Sequence, residues 1–216
     1  MNAVIIDYGL GNLFSVKRAC EQVGLNTLVS SKPKEILASD AIILPGVGAF
    51  GDAMENLARL DLISTLKNVV KSNKPLLGIC LGMQLLMTKS YEFGEHDGLD
   101  ILKGSVKRFT DPKDKTGRVL KVPQVGWNGI YGYNEALGDK SPLYEGINDG
   151  EFMYFVHSYY VIPEDKECIS SVTKYGDIEF CSSVRYRNVY ACQFHPERSG
   201  LVGLKIYQNF AELISK

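Results

Sequence analysis

Residues 76–84 read LLGICLGMQ, and far downstream the chain reads ACQFHPERS over 191–199. The first stretch sets Cys80 between Gly78 and Gly82, after an apolar run and before good helix formers. That is the layout of a nucleophile elbow with sulfur in place of a hydroxyl, in which small flanking residues allow a sharp bend at the carboxyl edge of a sheet. A free thiol is only a few per cent thiolate at neutral pH, and a helix end contributes about 0.3–1 kcal/mol toward the anion, so a base is needed as well. The second stretch contains one. In extended chain, residues i and i+2 share a face, so Glu197 can orient the His195 imidazole and favour its protonated form. Cys80, His195 and Glu197 therefore make a complete set for nucleophilic attack on an acyl or amide carbon.

Each of these residue types also has a packing role. A cysteine following an apolar strand is commonly a small core residue, and Cys20, Cys168, Cys181 and Cys192 are read that way. The two glycines and the helix former run after Cys80 set it apart. Of the three histidines, His96 in FGEHDGLD reads as solvated and His157 in YFVHSYYV as structural, which leaves His195 at a strand end.

The elements that must bring these pieces together alternate. AVIID (3–7), NTLVS (26–30), AIILP (41–45) and PLLGIC (75–80) read as buried strands. LFSVKRACEQVG (13–24), closed by Gly24, and the patterns around 52–72 and 81–89 read as helices. This alternation predicts an α/β architecture, a mostly parallel central sheet flanked by helices. From about residue 104 the texture changes to strand-like pieces: GSVKRF, EFMYFVHSYYVI, CISSVTKY, EFCSSVRY and VYACQFH. A last amphipathic helix follows Gly200, with Ser199 as its expected cap. No linker divides the chain, so one domain is expected across 1–216.

Bulk properties narrow the partners. The chain has 216 residues, 24 Lys plus Arg against 25 Asp plus Glu, and a formal net charge of −1, which gives no electrostatic reason for nucleic acid or an anionic membrane. The opening MNAVIIDYGLG lacks a basic leader, and no run approaches the roughly 18 apolar residues of a membrane span. Five scattered cysteines without a CxxC pattern fit a reducing cytoplasm better than a disulfide frame or a zinc site. The mixed-sign DPKDKTGR (111–118) reads as a solvated loop. Neither a metal nor a cofactor is called for.

Taken together, GICLGMQ and FHPERSG resemble the signature of the class I glutamine amidotransferases, the triad glutaminases. IIDYGLGNLFSV, LPGVGAFGDAM, CLGMQLL, VPQVGWN and FVHSYY extend the likeness over essentially the whole chain, to the branch that serves a (βα)8-barrel cyclase of histidine biosynthesis. The resemblance implies the flavodoxin-like fold of that family with extra antiparallel strands in the second half. It implies glutamine as substrate, with Cys80 attacking the carboxamide, His195 passing the proton to leaving ammonia and Glu197 orienting His195. It puts the oxyanion between the Leu81 N–H and an N–H of the 45–48 segment PGVG, and the amino-acid end of the substrate among Gly48, Gln84, Ser158 and Tyr159. The PGVG glycines read equally as a peptide switch gated by a partner or as a simple tight turn.

The resemblance also implies a heterodimer in which ammonia reaches the cyclase through its interior and is used on a phosphoribulosyl-formimino carboxamide ribonucleotide. Trp127, in a loop-like VGWNG, is a candidate interface anchor, joined by Asn12 and Ser15; the alternative is a plug at the core edge. Two positions depart from typical relatives, Gln124 for His and Arg198 for Lys, both on the surface expected to face the partner. They keep open a paralogue that feeds a different synthase, such as a nucleotide-sugar amidotransferase of surface polysaccharide. A scaffold lacking the reaction is opposed by the intact triad residues, and a peptidase or esterase by the lack of an apolar acyl pocket.

Overall fold

Short apolar runs of β-branched and leucine residues bury both faces only when helices cover them, and four such runs form the parallel half of the molecule. The computed structural model describes residues 2–133 and 141–215. Strands β1 (Asn2–Ile6), β2 (Asn26–Ser30), β3 (Ala41–Gly46) and β4 (Leu76–Cys80) pair in parallel, with every residue of β3 and β4 buried. Between them run α1 (Leu13–Gln22), α2 (Pro33–Ala38), α3 (Phe50–Arg59) and α4 (Leu62–Lys71). α1 ends as expected, with Gly24 in the left-handed region at φ +76°. The helical pattern of 52–72 is two helices, broken where Asp61 turns left-handed at φ 56°.

After β4 comes α5, which is only Leu81–Gln84. The helix expected to reach residue 89 stops there because the carbonyls of Leu85, Leu86 and Met87 accept N–H groups from Leu99, Ile101, Leu102 and Asp100. Strands β5 (Lys89–Ser90), β6 (His96–Asp97) and β7 (Gly104–Arg108) follow. VGWNG, read as a loop, lies in strand β8 (Gln124–Gly129), and β9 is Tyr131–Gly132. EFMYFVHSYYVI is two strands, β10 (Phe152–His157) and β11 (Tyr159–Pro163), because the chain changes sheets at Ser158. β10 pairs with β8 in a separate ribbon, whereas β11 joins the main sheet beside β7.

β12 (Ile169–Tyr175), β13 (Ile178–Tyr186) and β14 (Val189–Cys192) complete the strands, and α6 (Gly200–Ile214) closes the chain. The main sheet runs β2-β1-β3-β4-β14-β13-β11-β7-β5-β6, with β12 and β9 branching from β13. β14 lies parallel to β4 and antiparallel to β13, so it joins the parallel half to the antiparallel half. Among the described residues no helix is long and apolar enough to cross a membrane.

The turn from β4 into α5 is packed to backbone contact. A methyl group on Gly82 would run into the Leu44 carbonyl, and one on Gly78 would sit 3.0 Å from the Ala191 side chain. Gly82→Ala is therefore expected to destabilise the fold by about 2–3 kcal/mol, lowering the thermal midpoint by roughly 5–10 °C. Gly24→Ala, which meets nothing within 4 Å but keeps a positive φ, should cost only about 1 kcal/mol. Thermal unfolding of the two variants checks the ranking.

Candidate active site

Cys192 on β14 stands opposite Ile79 on β4 in a parallel pair, so both strands deliver their next residues to the same edge of the sheet. Cys80 leaves that edge at φ 55°, ψ −111°, a conformation L-residues seldom adopt and one that stores about 1–3 kcal/mol of strain. Its side chain lies at the floor of a cleft and is 7 % exposed. The other four cysteines are buried and free, and burial pushes all four thiols up, Cys20 to about 12 and Cys168 to about 11.

His195 is 4 % exposed and its Nδ1 lies 2.8 Å from Glu197 Oε1. The contact is not made by extended chain, as the i, i+2 argument supposed. β14 ends at Cys192, and Pro196–Arg198 form a 3-10 turn that brings the carboxylate back to the ring. Ser199 makes no side-chain cap for α6; its Oγ donates to the His195 carbonyl at 2.6 Å and accepts from the Tyr154 N–H at 2.9 Å. With the His195 N–H on the Tyr154 carbonyl at 2.9 Å, these bonds fix the histidine backbone to β10. Burial alone would lower the His195 pKa. The charge of Cys80, followed by the hydrogen bond and charge of Glu197, more than reverses this and pushes it up to about 10. The His195 Nε2 is buried without a close hydrogen-bond partner.

Gln193 was not singled out from sequence, although it stands two residues before His195. Its Nε2 donates to Cys80 Sγ at 3.6 Å, and its Oε1 accepts from Gln84 Nε2 at 3.0 Å. The same Gln84 nitrogen donates to the Tyr159 carbonyl at 3.0 Å. The Gln84 amide nitrogen is thus committed to protein.

The cleft holds about 340 Å³ and collects Gly48, Leu81, Gln84, Ser158 and Tyr159 beside Cys80 and His195. Leu81 opens α5, so its N–H has no helical acceptor. Gly48 has φ +99°, and the segment before it is tied down by the Tyr8 hydroxyl, which donates to the Pro45 carbonyl at 2.8 Å. Glu92 is a second residue the sequence reading missed. It lines the cleft and its Oε2 accepts the Phe50 N–H at 2.7 Å, just beyond PGVG. His96, expected in solvent, is partly buried with its ring against the first turn of α3: a methyl on Gly51 would lie 2.8 Å from His96 Cε1.

The candidate interface residues separate. Trp127 is 55 % exposed and meets Tyr154 edge-on at 6.1 Å, and the exposed Arg198 guanidinium lies 4.4 Å over the same Tyr154 ring. Trp127 is not a core plug. Asn12 caps α1 by accepting the Ser15 N–H at 3.3 Å, beside Phe14, which is 73 % exposed. Gln124 does not share that surface: it is 3 % exposed, opposite His157 in the β8–β10 ribbon.

A sharply bent cysteine at the edge of a parallel sheet shares its cleft with a buried histidine paired to a carboxylate, residue types suited to amide hydrolysis. The chain belongs to the glutamine amidotransferase class-I family, whose model matches residues 4–213. It is 50 % identical to the imidazole glycerol phosphate synthase subunit HisH of Methanosarcina mazei over 97 % of this chain and 98 % of that protein. It is 46 % identical to the subunit of the same name from Aquifex aeolicus, over 100 % and 99 %. Among solved structures it resembles PurLQS from Thermotoga maritima, with a TM-score of 0.73, 19 % identity and 98 % of each chain covered. That last likeness concerns the fold, which is the α/β fold of class I glutamine amidotransferases.

His157 sits among Phe109, Phe155 and Phe180, with Nδ1 2.8 Å from the Tyr159 carbonyl. Burial pushes its pKa down to about 4, against the Tyr159 bond. On acidification the unfolded chain takes up this proton first, so stability present above the ordinary value of about 6.5 is lost as pH falls toward about 4, roughly 3 kcal/mol in all. Urea unfolding at pH 7 and pH 4.5 should show a smaller acid loss in His157→Gln than in the natural chain.

Proposed function

We propose that this chain is the glutaminase subunit of an imidazole glycerol phosphate synthase, releasing ammonia from glutamine for a (βα)8-barrel cyclase bound to it. The observation that carries the chemistry is the meeting of Cys80, His195 and Glu197 at one sheet edge, above a cleft of amino-acid size. The identities of 42–50 % to synthase subunits over nearly full length support the pathway.

Cys80, as thiolate, attacks the carboxamide carbon of glutamine. The oxyanion forms between the Leu81 N–H and an N–H of the Gly46–Ala49 segment; one such donor typically accounts for about 2.7–4 kcal/mol of transition-state stabilisation. His195, as imidazolium, gives its proton to the departing nitrogen, and ammonia leaves a γ-glutamyl thioester. Neutral His195 then takes a proton from water, which attacks the thioester and expels Cys80, yielding glutamate. Gln193 holds the sulfur and Glu197 the ring. Glu92, the acidic residue lining the cleft, faces the α-ammonium of the substrate, while Gly48, Gln84, Ser158 and Tyr159 hold its amino-acid end.

Ammonia released into neutral water becomes ammonium and loses its nucleophilicity, so a docked acceptor is required. The outward face of the β8–β10 ribbon offers the dock. Val125, Trp127 and Phe152 are exposed there, Tyr154 and Arg198 stack beside them, and Val156 on the same face lines the cleft. An exposed apolar strip that ends at an active site marks an interaction surface. Of the two departures that suggested a different synthase, Gln124 is buried away from this strip, and Arg198 keeps its charge stacked on Tyr154.

The deciding experiment is glutamine hydrolysis by the purified chain, alone and with the barrel cyclase plus its ribonucleotide. Low turnover alone and an increase of at least tenfold with partner and acceptor is expected. Cys80→Ala should abolish it, and Trp127→Ala should weaken the complex by about 2 kcal/mol or more. Activation by a sugar amidotransferase instead of the cyclase would move the protein to another pathway.

The pH profile gives a separate check. Beside an anionic Cys80, His195 holds its proton up to about pH 10, so the substrate-free site carries the acid for ammonia release through neutral and mildly alkaline pH and loses it above. Glutamine turnover should fall as pH rises past that point, whereas alkylation of Cys80 by a glutamine-like electrophile, which needs no proton donor, should not.

A further inference from the structure

One oxygen of Glu197 is accounted for by His195; the other, Oε2, is buried without a close hydrogen-bond partner. The Tyr207 hydroxyl, on α6, is likewise buried and without one. A carboxylate oxygen can only accept and a phenol is a donor, and a buried polar atom left alone costs about 1–3 kcal/mol. The two atoms answer each other's deficiency.

The packing of α6 brings them together. Gly203 and Tyr207 are four residues apart, on one helix face. Gly203 has no side chain to keep the helix off the Pro196–Ser199 turn: a methyl there would run into the Pro196 carbonyl and lie 2.7 Å from Ser199 Cβ. The Gly203 N–H also donates to the Ser199 carbonyl at 3.1 Å. The helix is thereby pressed against the turn that carries Glu197, and Tyr207, fully buried, is one helical turn further along. Burial and the nearby charge of Glu197 hold the phenol in its protonated, donating form.

We propose that Tyr207 is a positioning residue that donates its hydroxyl to Glu197 Oε2, extending the relay to Cys80–His195–Glu197–Tyr207. It does not line the cleft and touches no substrate. Its effect is to choose which carboxylate oxygen faces His195 and to hold that oxygen in line with Nδ1.

This inference deepens the proposed glutaminase reading, and its test is built so that the two can fail separately. Tyr207→Phe keeps the ring and deletes the donor. With the full chain bound to its barrel partner, kcat for glutamine should drop about tenfold, the loss expected for one hydrogen bond to a charged group, with KM unchanged. In the substrate-free chain, the low-field proton resonance of His195 Nδ1–H should move downfield, because a carboxylate freed from one donor accepts more strongly from the other. A kcat within twofold of the natural chain, or a resonance that stays in place, overturns the proposal; so does a lowered melting temperature with the resonance unmoved. Should Tyr207→Phe not fold, 3-fluorotyrosine at 207, a stronger donor, should move the resonance upfield. If the natural chain hydrolyses no glutamine, the glutaminase reading fails, and the resonance still decides for or against Tyr207.

Discussion

The site depends on the parallel register of β4 and β14. These strands are far apart in the chain, yet Cys192 stands beside Ile79, so the elbow cysteine and the histidine segment leave the sheet at one level. A slip of one residue would turn every β14 side chain to the opposite face. The register is secured by burial on both faces: all five residues of β4 and all four of β14 are buried. The same fit explains the glycines around Cys80. Gly78 lies against Ala191 of β14 and Gly82 against Leu44 of β3, so the bend at Cys80 is set by its two neighbouring strands.

A second constraint comes from charge. Histidine and glutamate side chains only 5 % and 1 % exposed are costly to ionise unless each finds a partner. The site meets this with a chain of contacts: Gln84 to Gln193, Gln193 to the sulfur, and Glu197 to His195. Because the imidazole backbone is anchored to Tyr154 through both its N–H and Ser199, the ring cannot relax toward solvent. Such an arrangement is a poor source of stability and a good source of orientation, the quantity that nucleophilic catalysis requires.

Much of this was legible in sequence where one local pattern settled it. The four parallel strands, the Gly24 stop of α1 and the strand–turn–helix frame of Cys80 follow from periodicity and glycine placement. The failures occurred where tertiary partners override local preference. Residues 85–87 are good helix formers, but their carbonyls bind the 98–102 loop, so α5 stops after one turn. VGWNG has a loop's composition and becomes a strand because β10 pairs with it residue for residue. Glu197 reaches His195 through a tight turn that Pro196 begins, not through extended chain. Glu92 and Gln193 were missed because nothing local distinguishes them; the cleft lining reveals the first and the contact with the Cys80 sulfur the second.

The segment from Pro45 to Phe50 shows how the rest of the fold confines local freedom. Pro45 is held by the Tyr8 hydroxyl at one end, and Phe50 by the Glu92 carboxylate at the other. Burial pushes the Glu92 carboxyl up, opposed by the Phe50 N–H and His96, so its charge rests on those contacts. Between the two fixed points lie four residues, Gly46 to Ala49. Gly46 has no room to change, since a methyl there would meet Leu81 Cβ at 2.8 Å, whereas Gly48 already sits at a positive φ with only Leu10 near it. Any reorientation of a peptide in this segment is thereby concentrated at Val47 and Gly48. Glu92 thus both lines the cleft and holds the far end of this segment, so one carboxylate joins the two.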